Sequence, residues 1–315
     1  MRTRSVLTIG NFDGVHLGHR AILARARQLA AQRSARVIAL TFDPHPAAVL
    51  RPGSQPPVLN SITRRVEDLM DAGADQVHLL KPTSDLLAQP PAAFVDRLVD
   101  EFSPVAIVEG PDFRFGKGRA GDLRTLRDLG DTRGFAVEAV PGVEVALSDQ
   151  LQTVVSSSLV RWLVGRGRVA DAAICLGQPY ALDASVVRGE QRGRTIGIPT
   201  INLDLEPLAD HIFPADGVYA GHAMLDGDPD RASFPAAISV GVKPTFGQRQ
   251  LTIEAHLLGY TSDDPDALYG QAVRLSFARF LRDQYPFPGL DALVAQLRRD
   301  IARVNTLAGP AAVSA

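Results

Sequence analysis

Five short apolar, β-rich runs in the first half of the chain constrain its fold more than any other feature. They are "SVLTIG" (Ser5–Gly10), "RVIALTF" (Arg36–Phe42), "QVHLLK" (Gln76–Lys81), "PVAIVEG" (Pro104–Gly110) and "FAVEAV" (Phe135–Val140). Between them lie stretches with apolar residues at helical spacing: Arg20–Arg33, "SITRRVEDLMDAG" and "PAAFVDRLVDEF". Strand–helix–strand units of this length predict an α/β fold with a parallel sheet covered by helices on both faces. In such sheets ligands bind beyond the carboxyl ends of the strands. Glycines and polar residues gather at those ends, at Gly10–Asp13, Asp43–Pro46 and Gly110–Phe113.

Near Ser156–Arg168 the pattern changes. "SSSLVRWLVGRGRVADAAICLG" reads as two short helices, the first capped by a serine and the pair joined around Gly165–Gly167. Short alternating runs follow: "SVVRG", "GVYAGHAM", "PAAISVGV", "LTIEAHLLGY" and "AVRLSFARFL", separated by Gly, Pro and Asp. Most leave no room for a helix between them, so the second half predicts an antiparallel β-barrel rather than another wound sheet. "GLDALVAQLRRDIARV" puts Leu290, Leu293, Val294, Leu297 and Ile301 on one helical stripe, as in a terminal helix packed on a core. The chain is thus expected to comprise an N-terminal α/β domain (1–175), a C-terminal barrel domain (176–308) and a loose tail (309–315).

A length of 315 residues accommodates two domains. The formal net charge of -2 argues against a general nucleic-acid or anionic-membrane binder, while leaving room for a local basic pocket. The apolar run in the opening "MRTRSVLTIGNFDG" is too short for a signal peptide, and no run approaches the ~20 apolar residues of a membrane span. Cys175 is the only cysteine, so an intramolecular disulfide and a Cys-rich zinc site are precluded. Its setting in "DAAICLGQP" predicts a small buried side chain. A soluble cytoplasmic protein with no nucleic-acid and no membrane partner is expected.

The chemistry begins at "GNFDGVHLGHRAIL". At a helix N-terminus His16 and His19, three residues apart, project from one face of the first turn. The N–H groups and dipole there attract anionic oxygens, and two imidazoles can donate to a phosphate whose charge builds up during transfer. Gly10, Gly14 and Gly18 let the backbone approach a nucleotide closely. An ordinary strand-to-helix turn that happens to contain histidine would account for the same residues. Zinc is a poor alternative, because no third ligand stands at a suggestive spacing.

The full string "GNFDGVHLGH" is similar to the nucleotide-binding motif of nucleotidyltransferases with the His-x-Gly-His signature, and resembles in particular the bacterial bifunctional riboflavin kinase/FMN adenylyltransferase family. "TFDPHP" (Thr41–Pro46), "GPDFRFGKGRAGD" (Gly110–Asp122) and "VSSSLVR" (Val155–Arg161) follow in the family's order. The resemblance implies a Rossmann-like N-terminal nucleotidyltransferase domain in which His16 and His19 are catalytic. It places Gly10, Asn11, Phe12 and Asp13 at the bound ATP, and Ser156, Ser157, Ser158 and Arg161 around the triphosphate. Asp43, Asp112 and Phe113 would help bind FMN. From the residues alone, His45 also reads as part of a rigid turn, Asp112 as a loop cap and Ser157 as a helix cap. The basic loop Arg114–Arg119 reads either as solvated or as a lid over phosphates.

A second constellation lies in "GEQRGRTIGIPTINLDL" (Gly189–Leu205). Thr200 and Asn202 alternate with Ile201, so on an extended segment they face one side together. A hydroxyl and an amide oxygen are hard ligands suited to Mg²⁺, with nucleotide phosphates completing the shell. The segment resembles the riboflavin kinase signature, with Ile198 and Ile201 in place of its usual phenylalanine and alanine. That resemblance makes Gly189, Arg194 and Gly197 part of a flexible flap over phosphates, together with Gly193 and Arg192. It makes Glu254, in "LTIEAHLL", the base that takes the riboflavin hydroxyl proton, and sets Arg282 at the nucleotide or flavin site. Without it, Glu254 reads as a carboxylate on the solvent face of an antiparallel strand.

The function implied is a two-step synthesis: riboflavin to FMN with ATP and Mg²⁺, then FMN to FAD and pyrophosphate with a second ATP. Two alternatives remain. A nucleotidyltransferase acting on another phosphorylated substrate would have no use for Pro199–Asn202 and Glu254. A flavin-binding sensor or carrier that lost turnover would be eroded at His16, His19, Thr200, Asn202 or Glu254, and all five are present.

Overall fold

The computed structural model describes residues 4–225, 233–245, 248–264 and 266–308, so the tail 309–315 lies outside them. The chain forms two compact units, Met1–Ser157 and Ser158–Ala315.

The first unit runs β1 (Ser5–Gly10), α1 (Leu17–Arg33), β2 (Arg36–Phe42), α2 (Pro46–Leu50), α3 (Ile62–Asp71), β3 (Gln76–Leu80), α4 (Ser84–Leu87), α5 (Pro91–Phe102), β4 (Pro104–Glu109), α6 (Leu123–Arg133) and β5 (Ala136–Ala139). A hairpin of β6 (Glu144–Ala146) and β7 (Gln152–Val154) follows. The sheet order is β3-β2-β1-β4-β5, with every pair parallel. Central strands of such a sheet are buried on both faces, which is why β1 is mostly apolar and why even its Ser5 and Thr8 are buried. Leu7, Ile9, Ile38 and Leu40 pack against α5 and α6 through Phe94, Leu98 and Leu126. Val6, Val37, Ala39 and Ala106 pack on the other face against Leu23, Ala26 and Leu69 of α1 and α3.

Strand order reverses between β1 and β4, which creates the crevice where ligands of open α/β sheets bind. The register sharpens that point. The β1–β2 ladder runs to Gly10 opposite Thr41, whereas the β1–β4 ladder ends at Leu7 opposite Ile107. Beyond it the Ile9 N–H donates to Glu109 Oε1 at 2.6 Å. A side chain thus replaces the missing rung where the two strands part.

The second unit begins with α7 (Ser157–Gly165, its first residue still in the first unit) and α8 (Val169–Leu176). It continues through β8 (Tyr180–Val187), α9 (Arg192–Thr195), β9 (Ile201–Leu203), β10 (Gly217–Leu225), β11 (Ser233–Thr245), β12 (Gln248–Leu257), β13 (Ala272–Arg282) and α10 (Leu290–Ala308). The strands close into an antiparallel barrel in the order β10-β11-β12-β9-β8-β13. Tyr180, Tyr219, Ile238, Ile253, Leu275 and Phe277 are buried among its strands. On one side α10 covers β10, where Ile301 and Val304 meet Val218, Ala220 and Leu281. Cys175 is buried on α8. Strand β8 starts at Tyr180, five residues before the run "SVVRG": Tyr180 and Leu182 extend the buried side of the alternation, and Asp183 on the opposite side pairs with Arg274 at 2.6 Å.

Candidate functional site

Directly beyond β1 the chain turns sharply, with Phe12 and Gly14 both at positive φ (47° and 80°), and enters α1. His16 is the N-cap residue, and its side chain makes no cap bond, so the first-turn N–H groups of α1 carry no side-chain cap. The His16 and His19 rings stack with centroids 3.6 Å apart and planes 19° apart. Phe12 is buried and meets the His19 ring edge-on at 5.1 Å. Burial, then His16, then the Arg65 guanidinium hold the His19 pKa well below the ordinary imidazole value, so this ring is neutral at pH 7. Its Nδ1 is buried with no hydrogen-bond partner, which leaves Nε2 as the ring nitrogen available to a ligand.

Neighbouring strand ends complete the edge. His45, the N-cap of α2, accepts the Ala47 N–H on Nδ1 at 3.1 Å, so in the neutral ring Nε2 carries the proton. The Asn11 amide nitrogen lies 2.9 Å from that Nε2, so the two side chains meet across the ends of β1 and β2. Asp43 and Asp112 are exposed beyond β2 and β4, the strands on either side of β1, and Phe113 stacks on Phe115 at 5.4 Å. Thus Gly10, Asn11, His16, His19, Asp43, Asp112 and Phe113 all fall on the carboxyl edge of one sheet.

Asp13 is placed differently. Its buried carboxylate accepts from the Leu59 N–H at 3.0 Å and pairs with Arg65 Nη2 at 3.2 Å. Its backbone carbonyl accepts from Ser157 Oγ at 2.8 Å. Ser157 is therefore itself the first residue of α7, with its hydroxyl turned to Asp13 rather than capping the helix. Ser156 and Ser158 are exposed at the same helix start, and half-buried Arg161 lies one turn further along α7.

In the barrel, Asn202 on β9 stands directly opposite Glu254 on β12. Ile201, Leu203, Ile253 and Ala255 point inward and are buried, so Asn202 and Glu254 share the outer face. Directly opposed residues place their Cβ atoms about 4.5–5.5 Å apart. Thr200 precedes β9 on the side of Asn202, and bulky Ile201 is accommodated inside by its small partner Ala255. His256 Nδ1–H donates to the Pro199 carbonyl at 2.7 Å, bracing the approach to Thr200. The Gly189 backbone lies so close to Asn202 that a Cβ there would overlap the amide, and Gly193 is packed as tightly on the Ile198 carbonyl. The Gly189–Gly197 loop thus folds back over the threonine–asparagine pair. Arg194 within it is held by Asp266 at 3.3 Å and by the Tyr269 hydroxyl at 3.1 Å. A 430 Å³ cavity beside Thr200 is lined by Leu257, Tyr260, Leu268 and Tyr269.

Arg282 is clamped by Asp300 of α10, through Nε at 3.1 Å and Nη2 at 2.8 Å, and lies over the Tyr285 and Phe287 rings. Two residues on, Gln284 donates to Ser239 Oγ at 2.8 Å, and Ser239 is the β11 partner of Glu254. Gln284, Arg65 and Glu109 escaped the sequence reading. Only a buried charge inside an otherwise regular amphipathic helix or apolar strand hints at the latter two.

Comparison with known proteins follows the same division. The family described as FAD synthetase matches residues 1–158, and that described as riboflavin kinase matches 176–308. A bifunctional riboflavin kinase/FMN adenylyltransferase from Pseudomonas fluorescens is 35% identical over 309 residues, covering 98% of this chain and 94% of that protein. The chain belongs to the bifunctional riboflavin kinase/FMN adenylyltransferase family. Family members from Listeria monocytogenes and Escherichia coli K12 are each 33% identical over 94% of this chain and 90% of their own length. A solved structure described as a macrolide-efflux protein from Streptococcus pneumoniae shares the architecture, with TM-score 0.85 and 28% identity over 97% of this chain and 95% of that one. Efflux is said of that protein alone; among the described residues of this family member no helix is long and apolar enough to cross a membrane.

Proposed function

We propose that the chain carries out both reactions for which its family is named, each on one unit: phosphorylation of riboflavin to FMN, then adenylylation of FMN to FAD. The observation that carries this reading is that both halves assemble a cluster suited to phosphate chemistry, the stacked histidine pair on the sheet edge and the Thr200–Asn202–Glu254 group on the barrel. Residues 1–175 are assigned to the adenylyltransferase and 176–308 to the kinase, in the cytoplasm, where ATP is at hand.

In the kinase step a riboflavin hydroxyl attacks the γ-phosphorus of ATP. The new P–O bond forms as the β–γ bridge breaks, ADP leaves, and Glu254 takes the hydroxyl proton. Thr200 and Asn202 offer the hard oxygens that would hold Mg²⁺ with the nucleotide phosphates, and the ion would neutralise phosphate charge. Both are neutral oxygen donors and only two in number, so a shell completed by the anionic phosphates of the nucleotide fits this donor set. Gly189, Gly197 and Arg194 form the flap over the phosphates, the apolar cavity beside Thr200 takes the nucleoside, and Arg282 with its aromatic neighbours borders the flavin.

In the adenylyl step a phosphate oxygen of FMN attacks the α-phosphorus of the second ATP, and pyrophosphate leaves. No protein nucleophile is needed. The α1 N-terminus, the Asn11 amide and the two imidazoles donate to the phosphate oxygens as charge builds, and Phe12 supports the His19 ring. Ser156 holds the triphosphate end, while Asp43, Asp112 and Phe113 hold FMN. Incubating the purified protein with riboflavin, ATP and Mg²⁺ and separating the products tests the reading. FMN followed by FAD is expected; FMN alone removes the adenylyltransferase, and neither product leaves a flavin-binding protein.

A further inference from the structure

Behind the histidine pair lies a buried charge network that the two reactions do not use. Arg65, on the inner face of α3, reaches three places at once: the Asp13 carboxylate at 3.2 Å, the Phe42 carbonyl at the end of β2 at 3.4 Å, and the electrostatic field of His19. Asp13 in turn joins the β1–α1 loop to Leu59 and, through its carbonyl, to Ser157. The next loop residue is strapped from the same side, because the Gly14 N–H donates to Asn60 Oδ1 at 3.2 Å and Asn60 binds Asp68 of α3 at 3.3 Å. The loop carrying the histidines is therefore fixed by α3, to which it is not adjacent in sequence.

We propose that Arg65 is a positioning residue for adenylyl transfer: through its ion pair with Asp13 it fixes the loop that carries the histidine pair, and it keeps a permanent positive charge behind that pair. The proposal rests on the adenylyltransferase reading. Two arguments support it. A neutral Arg65 replacement would leave the Asp13 carboxylate buried without its cation, and buried carboxylates of that kind relax by moving or by taking up a proton. Either response shifts the loop, and ~1 Å of misplacement at a reacting centre costs about 100-fold in rate. Burial and the neighbouring His16 already disfavour a proton on His19, and the fixed Arg65 charge adds to them, so His19 meets phosphate as a neutral donor stacked on His16.

The test uses the full chain. R65M is expected to lower kcat for FAD formation from FMN about 100-fold while phosphorylation of riboflavin is unchanged, and R65K to stay within about tenfold of wild type. The NMR titration of the His19 imidazole, assigned with a His19→Gln control, should rise in R65M and stay low in R65K, which a purely structural role would not produce. D13N removes the ion pair at constant volume and keeps the experiment decisive should R65M fail to fold. The R65M/D13N pair should cost no more than its worse single member, because the two side chains act as one unit. Full-rate FAD formation by R65M, an unmoved His19 titration, or additive losses would each overturn the proposal. If wild type makes no FAD the functional reading falls instead, and the titration still decides whether Arg65 acts on the histidine pair.

Discussion

In the sheet unit the reactive side chains sit on a loop and the first turn of a helix, and that loop is pinned from behind by buried charge. In the barrel unit they sit on adjacent strands and are placed by register alone: Asn202 opposite Glu254, with Thr200 on the same face. A register is set by the alternation of inward and outward side chains and cannot slip by one residue without exposing the core. A loop has no such protection and needs a dedicated brace. The barrel cluster should therefore tolerate changes behind it and fail when a member, or a residue packed directly on one, is altered, whereas the sheet cluster should fail when its supports are altered too.

The sharpest break of that contrast comes from the members themselves. Glu254→Gln removes the base without moving the strand, and FMN formation should fall by about 10²–10⁴-fold while added FMN is still converted to FAD. His16→Ala and His19→Ala should do the reverse, each costing FAD formation about 10²–10³-fold with FMN production intact. Assaying both products for each variant tests the separation, and a variant that lost both activities would count against two independent sites. Gly189→Ala is a smaller probe. Its Cβ would overlap the Asn202 amide, so kinase turnover should fall by about tenfold or more, with FAD formation from FMN unchanged and the unfolding midpoint little affected. Unaltered kinase turnover would show that the flap does not lie on Asn202 during the reaction.

The same contrast explains what could be read without coordinates. Strands β1 and β2 were legible to the residue, because a strand buried on both faces reads as a short, β-rich and mostly apolar run, and the closed antiparallel barrel followed from runs too close together to hold helices. Thr200 and Asn202 were legible as a pair because alternation fixes their common side. Their approach to Glu254 was not, since β9 and β12 are joined only by register across some fifty residues of chain. Strand β9 itself is three residues long, too short to announce itself. The brace was invisible for the same reason: Arg65 and Arg64 are adjacent in "ITRRVEDL", and only packing decides that Arg65 turns inward to Asp13 while Arg64 bonds along its own helix to Asp68.

Glu109 provides the finest test of how the sheet unit is supported. Its carboxyl is buried at the point where β1 and β4 separate, and burial raises its pKa well above the ordinary value, against the opposing effect of the Ile9 N–H. The folded protein therefore holds a proton there that the unfolded chain gives up once the pH exceeds the ordinary carboxyl value. In that window the folded state binds more protons, so this group lowers stability as pH rises, until the folded-state pKa is passed. Glu109→Gln keeps the acceptor for Ile9 and has no proton to lose. Its unfolding midpoint should match wild type near pH 4 and exceed it by about 2–4 °C near pH 8 for each kcal/mol of ionisation removed. FAD formation should be retained, because the rung between the strands is preserved. A midpoint difference that shrinks with rising pH would mean that Glu109 is ionised in the folded protein, and the strands would then part around a charge rather than a neutral acid.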